Sequence, residues 1–408
     1  MLAVLREVFS NRNILTISST NMLYHIFNSL WELWWTLYLI EELRTPILIV
    51  GLLATIQNTS RILFQLPGGI LADRIGRKRV IVYGTSLRVV AALILFTARS
   101  WIQVAPGMIL NAVASLYSPA FNALIAESLP EDRRGAAFGA YRMMTSIPRV
   151  FMPLISGYYL DILGIGRGVR LGLLMFSLAV FTAALLRGLL LMETLHEGER
   201  RDGSGFRESL EVLKRGRTLL AMLAVSVVSG FAMRMTWAFL SVYAYYIIGL
   251  STTQYGLLQT IAMGLSTPLY LLSGVIADRF GRVPCILIAR GLGPMDSLSL
   301  LLLRDYRHLI AAYAIIGVAG GLGGGRLRGG GFMGGPAWQA LIADLVPPRN
   351  RGKVMGAMAT ITGLAALPAP YIGGYLYDLN PHLLLMLGSL IEALTIPIIL
   401  LFIREAEK

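Results

Sequence analysis

Charged residues are scarce in this chain of 408 residues. Asp, Glu, Lys and Arg make up 14% of it, whereas hydrophobic residues make up 55% and the mean hydropathy is +0.65. A soluble domain carries about 25% charged residues, so the chain lacks the polar side chains that would cover a water-facing globule. The composition excludes a soluble, disordered or collagen-like protein and predicts one that lies in a membrane.

Cysteine is nearly absent as well. The sequence has one, Cys285, which excludes an intramolecular disulfide framework. The cysteine and the four histidines show no spacing typical of a metal site, and no nucleotide-binding loop of the G-x-x-x-x-G-K-[ST] kind occurs. We therefore expect no metal, no cofactor, no catalytic residues and no ATP-driven pumping.

Acidic residues are outnumbered by basic ones. The chain holds 23 Asp and Glu against 36 Lys and Arg, a formal net charge of +13. The basic residues lie between apolar runs and not in one stripe. We therefore interpret the charge as a signal of membrane topology and expect no binding of nucleic acid.

Long apolar runs are what the chain has in abundance. A helix needs about 20 apolar residues to cross the hydrocarbon core of a bilayer, and twelve stretches reach that length. They are roughly 14–40, 47–71, 80–98, 101–126, 136–160, 171–192, 218–248, 254–277, 284–303, 308–345, 353–377 and 383–403. Most Lys and Arg residues lie in the loops on one side, which predicts a plasma-membrane protein with both termini in the cytoplasm.

The two halves of the chain repeat each other. Residues 69–82 read "GILADRIGRKRVIV" and residues 274–287 read "GVIADRFGRVPCIL". Residues 119–135, "PAFNALIAESLPEDRRG", return at 336–352 as "PAWQALIADLVPPRNRG". The repeated segments occupy matching loops of a twelve-span chain, so the halves have the same orientation in the membrane.

The repeated loop resembles the signature of the major facilitator superfamily, G-x-[LI]-A-D-R-x-G-R-[KR]. Its residues are Gly69, Asp73, Arg74, Gly76, Arg77 and Lys78 in the first copy and Gly274, Asp278, Arg279, Gly281 and Arg282 in the second. The resemblance covers the whole chain and implies the parallel-repeat transporter fold. We expect an all-α membrane protein with twelve transmembrane helices in two homologous six-helix bundles, residues 1–192 and 218–408, joined by a cytoplasmic linker, residues 193–217.

The same resemblance implies a latch at the inner side that joins the halves when the transporter faces outward. Asp73 is expected to pair with Arg77 and to lie near the start of the eleventh span. Gly69 is expected to let two helix backbones approach closely. Further expected members, as partners for Arg77 and Arg282, are Glu127 and Arg134 at and after the end of the fourth span, and Asp344 and Arg351 at the equivalent positions of the tenth. The alternative is that these charges only set the topology.

Ionisable side chains inside the spans are costly and mark candidate functional sites. Asn21, His25, Asn28 and Glu32 of the first span fall on one helix face at about 100° per residue. We expect this stripe to face a central cavity and Glu32 to carry a proton; a hydrogen-bonded contact between helices is the alternative. Other candidates for the cavity are Arg142, Arg149, Arg234 and Trp237, with Arg88, Asp296 and Glu392 as further buried charges. Arg61 and Arg290 are expected to extend toward a membrane interface.

Residues 317–335 read "GVAGGLGGGRLRGGGFMGG" and contain eleven glycines. A regular helix is disfavoured there because each glycine costs about 1 kcal/mol in a helix interior. A broken helix that binds an anion through Arg326 and Arg328, an insertion without a ligand, and a duplication remain open.

The leading functional hypothesis is a secondary transporter that moves a small organic solute by alternating access, coupled to protons and working as a monomer in the bilayer. Efflux is favoured by aromatic residues near the stripe and by "IPRVFMPLISG" at residues 147–157. That segment resembles the G-P-x-x-G-G element of antiporters in the family. The alternatives are proton-coupled uptake of a sugar or organic acid, and a non-transporting sensor on the same fold.

Overall fold

A computed structural model describes residues 10–129, 134–194, 213, 216–323, 335–347 and 350–405 of the chain. Within these ranges the side chains of residues 66, 134–140, 142–144, 271 and 336 are not described. The linker predicted at 193–217 and the glycine-rich segment at 317–335 therefore lie largely outside the described residues. Residues 317–323 belong to a helix.

Helices make up the described part of the chain, which contains no strand. They are α1 Arg12–Ser29, α2 Trp35–Glu41, α3 Ile47–Ile75, α4 Arg77–Thr97, α5 Trp101–Ala114, α6 Tyr117–Ser128, α7 Arg134–Leu163, α8 Ile165–Leu190, α9 Arg217–Tyr243, α10 Thr252–Phe280, α11 Arg282–Gly291, α12 Met295–Leu302, α13 Tyr306–Gly323, α14 Pro336–Leu345, α15 Arg351–Ala365, α16 Ala369–Leu379, α17 Pro381–Ala393 and α18 Thr395–Phe402. Joined at their short breaks, and with α13 and α14 on either side of the glycine-rich segment, they follow the twelve predicted spans.

Many of these helices have the length and apolarity that a bilayer requires. Within the described residues, eight are long and apolar enough to cross a membrane, and a ninth, α10, consists of two segments bent by 62°. Large apolar side chains such as Leu189, Val275 and Leu302 are 69–74% exposed on the protein surface, where lipid replaces water as the solvent. The prediction of an all-α membrane protein is confirmed.

The chain divides into two compact units, which comprise Met1–Pro46 with Ile56–Arg201, and Ile47–Thr55 with Asp202–Lys408. In the first unit, α1 packs against α7 and α8, and α4 packs against α5 and α8. In the second unit, α9 packs against α16 and α17, and α10 lies along α13. Each unit thus encloses its own set of buried side chains.

The first span is not one continuous helix. Helix α1 ends at Ser29, a 3-10 turn covers Glu32–Trp34, and α2 begins at Trp35. Trp34 is 1% exposed and its indole N–H donates to the hydroxyl of Ser156 on α7 at 2.9 Å. This buried bond across 122 residues holds the chain in the break.

Candidate functional site: inner-end charge clusters and the polar stripe of the first span

The signature loops form sharp corners between consecutive helices in both units. Gly76 separates α3 from α4 with φ +97°, and Gly281 separates α10 from α11 with φ +93°. Side chains with a Cβ rarely adopt this conformation. The two glycines therefore let a long helix end and the next one begin within a single residue.

Each corner places an arginine beside a carboxylate from the same unit. Arg77 on α4, whose side chain is 7% exposed, forms an ion pair with Glu127 at the end of α6. Arg282 on α11 forms an ion pair with Asp344 on α14 and also donates to the carbonyl of Ala340 at 2.6 Å. The structure thus brings together the two pairs that sequence reasoning matched to each other.

A second carboxylate at each corner was missed from the sequence. The side chain of Glu193, just after α8, accepts the backbone N–H groups of Arg77 at 2.9 Å and Lys78 at 3.1 Å. Glu405, after α18, accepts the N–H of Val283 at 2.9 Å. Carboxylates stabilise a helix N-terminus because its first N–H groups lack partners within the helix.

A local signal for these caps is present in the sequence. An acidic residue follows the last apolar stretch of each half, at positions 193 and 405. A Cβ on Gly76 would lie 2.5 Å from Glu193 Oε2, and one on Gly281 would lie 2.9 Å from Glu405 Oε1. A side chain at either glycine position would therefore displace the capping carboxylate.

Other predicted latch residues lie elsewhere than expected. Asp73 is exposed and, within the described residues, forms no ion pair, because Arg77 pairs with Glu127 instead. Asp278 is 72% exposed and lies 3.8 Å from Arg282. A Cβ on Gly69 would make an ordinary 3.8 Å contact, whereas one on Gly68 would lie 2.1 Å from the carbonyl oxygen of Leu116. The close approach of Gly69 to a helix of the other half stays a prediction.

The remaining predicted latch residues have few described contacts. Arg74 is exposed and Lys78 is half-buried. The guanidinium of Arg279 lies 5.6 Å from the ring centre of Phe280, and a Cβ on Gly274 would meet no atom within 4 Å. Arg351 Nε donates to the carbonyl of Val346 at 3.1 Å. The side chain of Arg134 lies outside the described residues.

Two residues of the polar stripe are hydrogen-bonded to α7, and the other two are bonded to each other. Asn21 donates to the hydroxyl of Tyr141 at 2.6 Å. His25 Nδ1 accepts from Arg149 Nε at 3.2 Å, which leaves the proton of a neutral imidazole on Nε2. Asn28 Nδ2 donates to Glu32 Oε2 at 2.5 Å.

Glu32 does not continue the helix that carries the rest of the stripe. Glu32 lies in the 3-10 turn after the break and its side chain is exposed. The burial of Trp34 moves Glu32 out of the regular helical spacing, although its bond to Asn28 keeps it next to the stripe.

Two further arginines, Arg187 and Arg88, lie beside the polar stripe. Arg187 of α8 was not predicted from the sequence. Its side chain is 2% exposed, and its three nitrogens donate to Thr20, Asn21 and Thr85 at 2.9–3.1 Å. Arg88 of α4 donates to the hydroxyl of Tyr117 at 2.8 Å and lies 5.3 Å from the ring centre of Tyr24. A sequence signal existed for Arg187, since it is an arginine inside an apolar run, but its partners are more than 100 residues away.

The second unit holds its own buried polar cluster. Arg290 of α11 donates to Ser229 Oγ at 2.6 Å, and Ser229 donates to Glu392 Oε1 at 3.4 Å. Arg290 also lies 5.2 Å from the ring centre of Trp338, so its expected extension toward a membrane interface is wrong. Glu392 is 1% exposed and Asp296 is 5% exposed, so both are buried as expected.

The other predicted cavity residues are only partly described. Arg234 and Trp237 lie on α9 with half-buried side chains, and the pairing of Arg234 with Glu32 stays a prediction. The side chain of Arg142 lies outside the described residues. Within the part of the chain that the structure describes, no group of three or more His, Cys, Asp or Glu side chains is arranged to hold a metal ion.

Comparison with known proteins gives a consistent family. The sequence profile of the Major Facilitator Superfamily matches residues 17–329 and 324–408. The class C tetracycline resistance protein of Escherichia coli is 25% identical over 332 residues, which cover 76% of this chain and 75% of that protein. The multi-drug resistance efflux pump PmrA of Streptococcus pneumoniae is 22% identical over 339 residues, with 79% and 78% covered.

A solved structure shares the fold. The crystal structure of the nucleoside transporter NupG matches with a TM-score of 0.73 and 11% sequence identity, over 95% of this chain and 98% of that one. The twelve-span helix pattern, the repeated signature loops and the profile match over both halves agree. The chain belongs to the major facilitator superfamily.

Proposed function

We propose that this membrane transporter couples the movement of a small organic solute to protons, through Glu32. The observation that carries the proposal is the placement of Glu32 in the break of the first span, exposed and hydrogen-bonded by Asn28. Its charge interacts with that of Arg88. A carboxylate that water can reach and that lies near an arginine can exchange a proton as the surroundings change.

Export is the proposed direction. It is supported by the similarity to a multi-drug resistance efflux pump and by aromatic side chains beside the stripe, where the rings of Trp31 and Trp35 lie 5.4 Å apart. Uptake of an organic acid is the second candidate. The observation that favours it is the surplus of arginine over carboxylate around the stripe, since arginines recognise carboxylates.

The test is transport by purified protein in proteoliposomes. A panel of radiolabelled solutes is first screened by counterflow, and transport driven by an imposed pH gradient is then measured. We expect Glu32→Gln to abolish gradient-driven transport while counterflow persists. Glu41→Gln is the matched control, because Glu41 lies on the same span at the outer end of α2.

Three results would contradict the proposal. Unchanged gradient-driven transport by a stable Glu32→Gln protein would remove Glu32 from the coupling mechanism. Loss of thermal stability in detergent, with normal coupling in the protein that remains, would make Glu32 a structural partner of nearby arginines. Absence of counterflow for every solute in the panel would favour a sensor.

We also propose that the protein works as a monomer in the plasma membrane with both termini in the cytoplasm. The support is the concentration of Lys and Arg in the loops on that side. Reporter fusions at Gly203 and Lys408 should then report a cytoplasmic location, and one at Ser251 an external one. An external signal at Gly203 would reverse the orientation.

The corners at Gly76 and Gly281 are proposed to form the inner gate. Their support is the repetition of an arginine, a paired acid and a capping acid in each unit. A gate requires two states that differ by only a few kcal/mol, so exposed members of the loops, such as Asp73, are free to change partners.

A further inference from the structure

The interior of the first unit holds more arginine than carboxylate. Arg88, Arg149 and Arg187 all lie around the stripe of the first span, and all three interact electrostatically with His25. Glu32 is the one carboxylate beside them within the described residues. The other described acidic residues of this unit lie at or near helix ends: Glu41, Glu42, Asp73, Glu127, Asp161 and Glu193.

Arg187 supplies a fixed positive charge. Its nitrogens donate to three neutral side-chain oxygens, those of Thr20, Thr85 and Asn21. The side chain is 2% exposed, so a solute does not reach it. These bonds orient the guanidinium without cancelling its charge, which therefore adds to the potential at the neighbouring stripe.

Arg88 is the arginine that a solute can reach. Its side chain is half-buried, and the side chains in printed contact with it are neutral: the hydroxyl of Tyr117 at 2.8 Å and the rings of Tyr24 and Tyr117 at 5.3 and 5.1 Å. Glu32 is the carboxylate whose charge acts on it. Its Nε is enclosed and has no hydrogen-bond acceptor. A guanidinium in such surroundings favours an anionic partner, because charged groups removed from water need a counter-charge.

Aromatic side chains connect Arg88 with the rest of the cluster. The ring of Tyr24 lies 5.2 Å from that of His25, which accepts from Arg149, and 5.3 Å from that of Phe176. Phe176 in turn lies 5.6 Å from Trp31. Phe176 and Trp31 are buried, whereas Tyr24 and His25 are half-buried. The ring of a solute can therefore contact Tyr24 and His25 while its charged group meets the arginines.

We propose that the cluster of Arg88, Arg149 and Arg187 binds the anionic group of the transported solute, and that the solute is an aromatic organic anion bearing a carboxylate or phosphate. The inference rests on the proposed transport function and holds for either direction of transport. Arg88 and Arg149 bind the anionic oxygens, Arg187 adds to the positive potential, and Glu32 competes with the anion for Arg88.

The test uses the full-length chain in detergent and isothermal titration calorimetry. The probes are 2-naphthoate and 2-naphthyl phosphate as anions, with 2-naphthylmethylamine as the cation of matched ring system. We expect at least one anion to bind and the cation not to bind. Arg88→Gln should weaken the affinity for the anion about 10- to 100-fold, the effect of losing a hydrogen bond to a charged group. The Glu32→Gln protein should bind the anion at least as tightly as the unmodified protein does.

Arg61→Gln is the matched control. Arg61 is an exposed arginine on α3 of the same unit, and its loss should leave the anion affinity unchanged. Arg88→Lys and Arg149→Gln, with gel filtration and thermal unfolding of each variant, separate lost binding from lost folding. The inference is overturned if neither anion binds, if the folded arginine variants bind normally, or if the amine binds and loses affinity in Glu32→Gln.

Lipid headgroups carry similar phosphate oxygens, so the anion affinity is also measured in nanodiscs. Equal affinity in phosphatidylcholine and phosphatidylglycerol nanodiscs supports a soluble solute. Loss of binding in phosphatidylglycerol assigns the arginines to a lipid and overturns the inference. Binding of an anion without any counterflow in proteoliposomes would contradict the proposed transport function but leave the substrate class standing.

Discussion

The glycine corners of the two units are built alike, whereas the interiors of the units differ. Both corners combine a glycine of positive φ, an arginine paired with an acid from the fourth or tenth span, and a capping carboxylate at the end of the half. In the interiors, Arg187 of the first unit donates to neutral oxygens, while Arg290 of the second is linked through Ser229 to the carboxylate of Glu392.

This contrast separates what duplication preserved from what diverged. A corner that joins two helices and caps the second is useful in both halves, because both must satisfy the same helix termini. An interior charge that is bonded to neutral oxygens, as Arg187 is, is costly, so its presence points to a role within the first unit. The following experiments test both sides of the comparison.

The largest expected effect on stability is at the paired arginines of the corners. Arg77 is 7% exposed and Arg282 is 21% exposed, so the first pair is shielded more from water. Arg77→Gln should lower the free energy of unfolding by about 2–4 kcal/mol, because it leaves the Glu127 carboxylate unpaired. Arg282→Gln should cost about 1–2 kcal/mol. Thermal unfolding in detergent measures both, and equal losses would contradict the difference in burial.

A smaller effect is expected where a hydroxyl accepts from a buried arginine. Thr85→Val keeps the shape of the side chain but removes the acceptor of Arg187 Nη1 at 2.9 Å, which should cost about 1.5–3 kcal/mol. Ser229→Ala removes the acceptor of Arg290 and should cost about 1 kcal/mol, because the carboxylate of Glu392 remains in that cluster. Unfolding by heat or by guanidinium chloride measures both changes. If Ser229→Ala is the more destabilising of the two, the proposed difference between the interiors is contradicted.

The capping carboxylates should contribute less. Glu193 accepts two backbone N–H groups, and Glu405 accepts one. Glu193→Gln should therefore destabilise α4 by about 1 kcal/mol, and Glu405→Gln should destabilise α11 by about 0.5 kcal/mol. Hydrogen exchange at the first residues of the two helices reports each effect locally. Unchanged exchange at Arg77 and Lys78 would contradict the cap.

The smallest effect on stability is expected at the exposed aspartates of the signature loops. Asp73→Asn should change the unfolding free energy by less than about 0.5 kcal/mol, since Asp73 is exposed and unpaired within the described residues. If the loops form the gate, the same variant should nevertheless slow transport several-fold. Asp278→Asn is its counterpart in the second unit, and full transport by both variants would contradict the proposed gate.

Several parts of this structure were predictable because they depend on short stretches of sequence. The apolar runs determine the spans, since each helix satisfies its own backbone in the bilayer. The repeat predicted that Arg77 and Arg282 have equivalent acids, Glu127 and Asp344. It did not reveal the caps, because positions 193 and 405 approach the corners only after six helices have packed.

Sequence alone therefore determined the fold class, the family resemblance and the stripe that runs from Asn21 toward Glu32. Tertiary structure decided which charges meet: Arg187 joins α1 and α4 across 102–167 residues, and Trp34 reaches Ser156 to break the first span. Hydropathy is a local property that selects spans one at a time. The rotation and crossing of each helix are set by its neighbours, so the partners of a buried side chain emerge only when the bundle has formed.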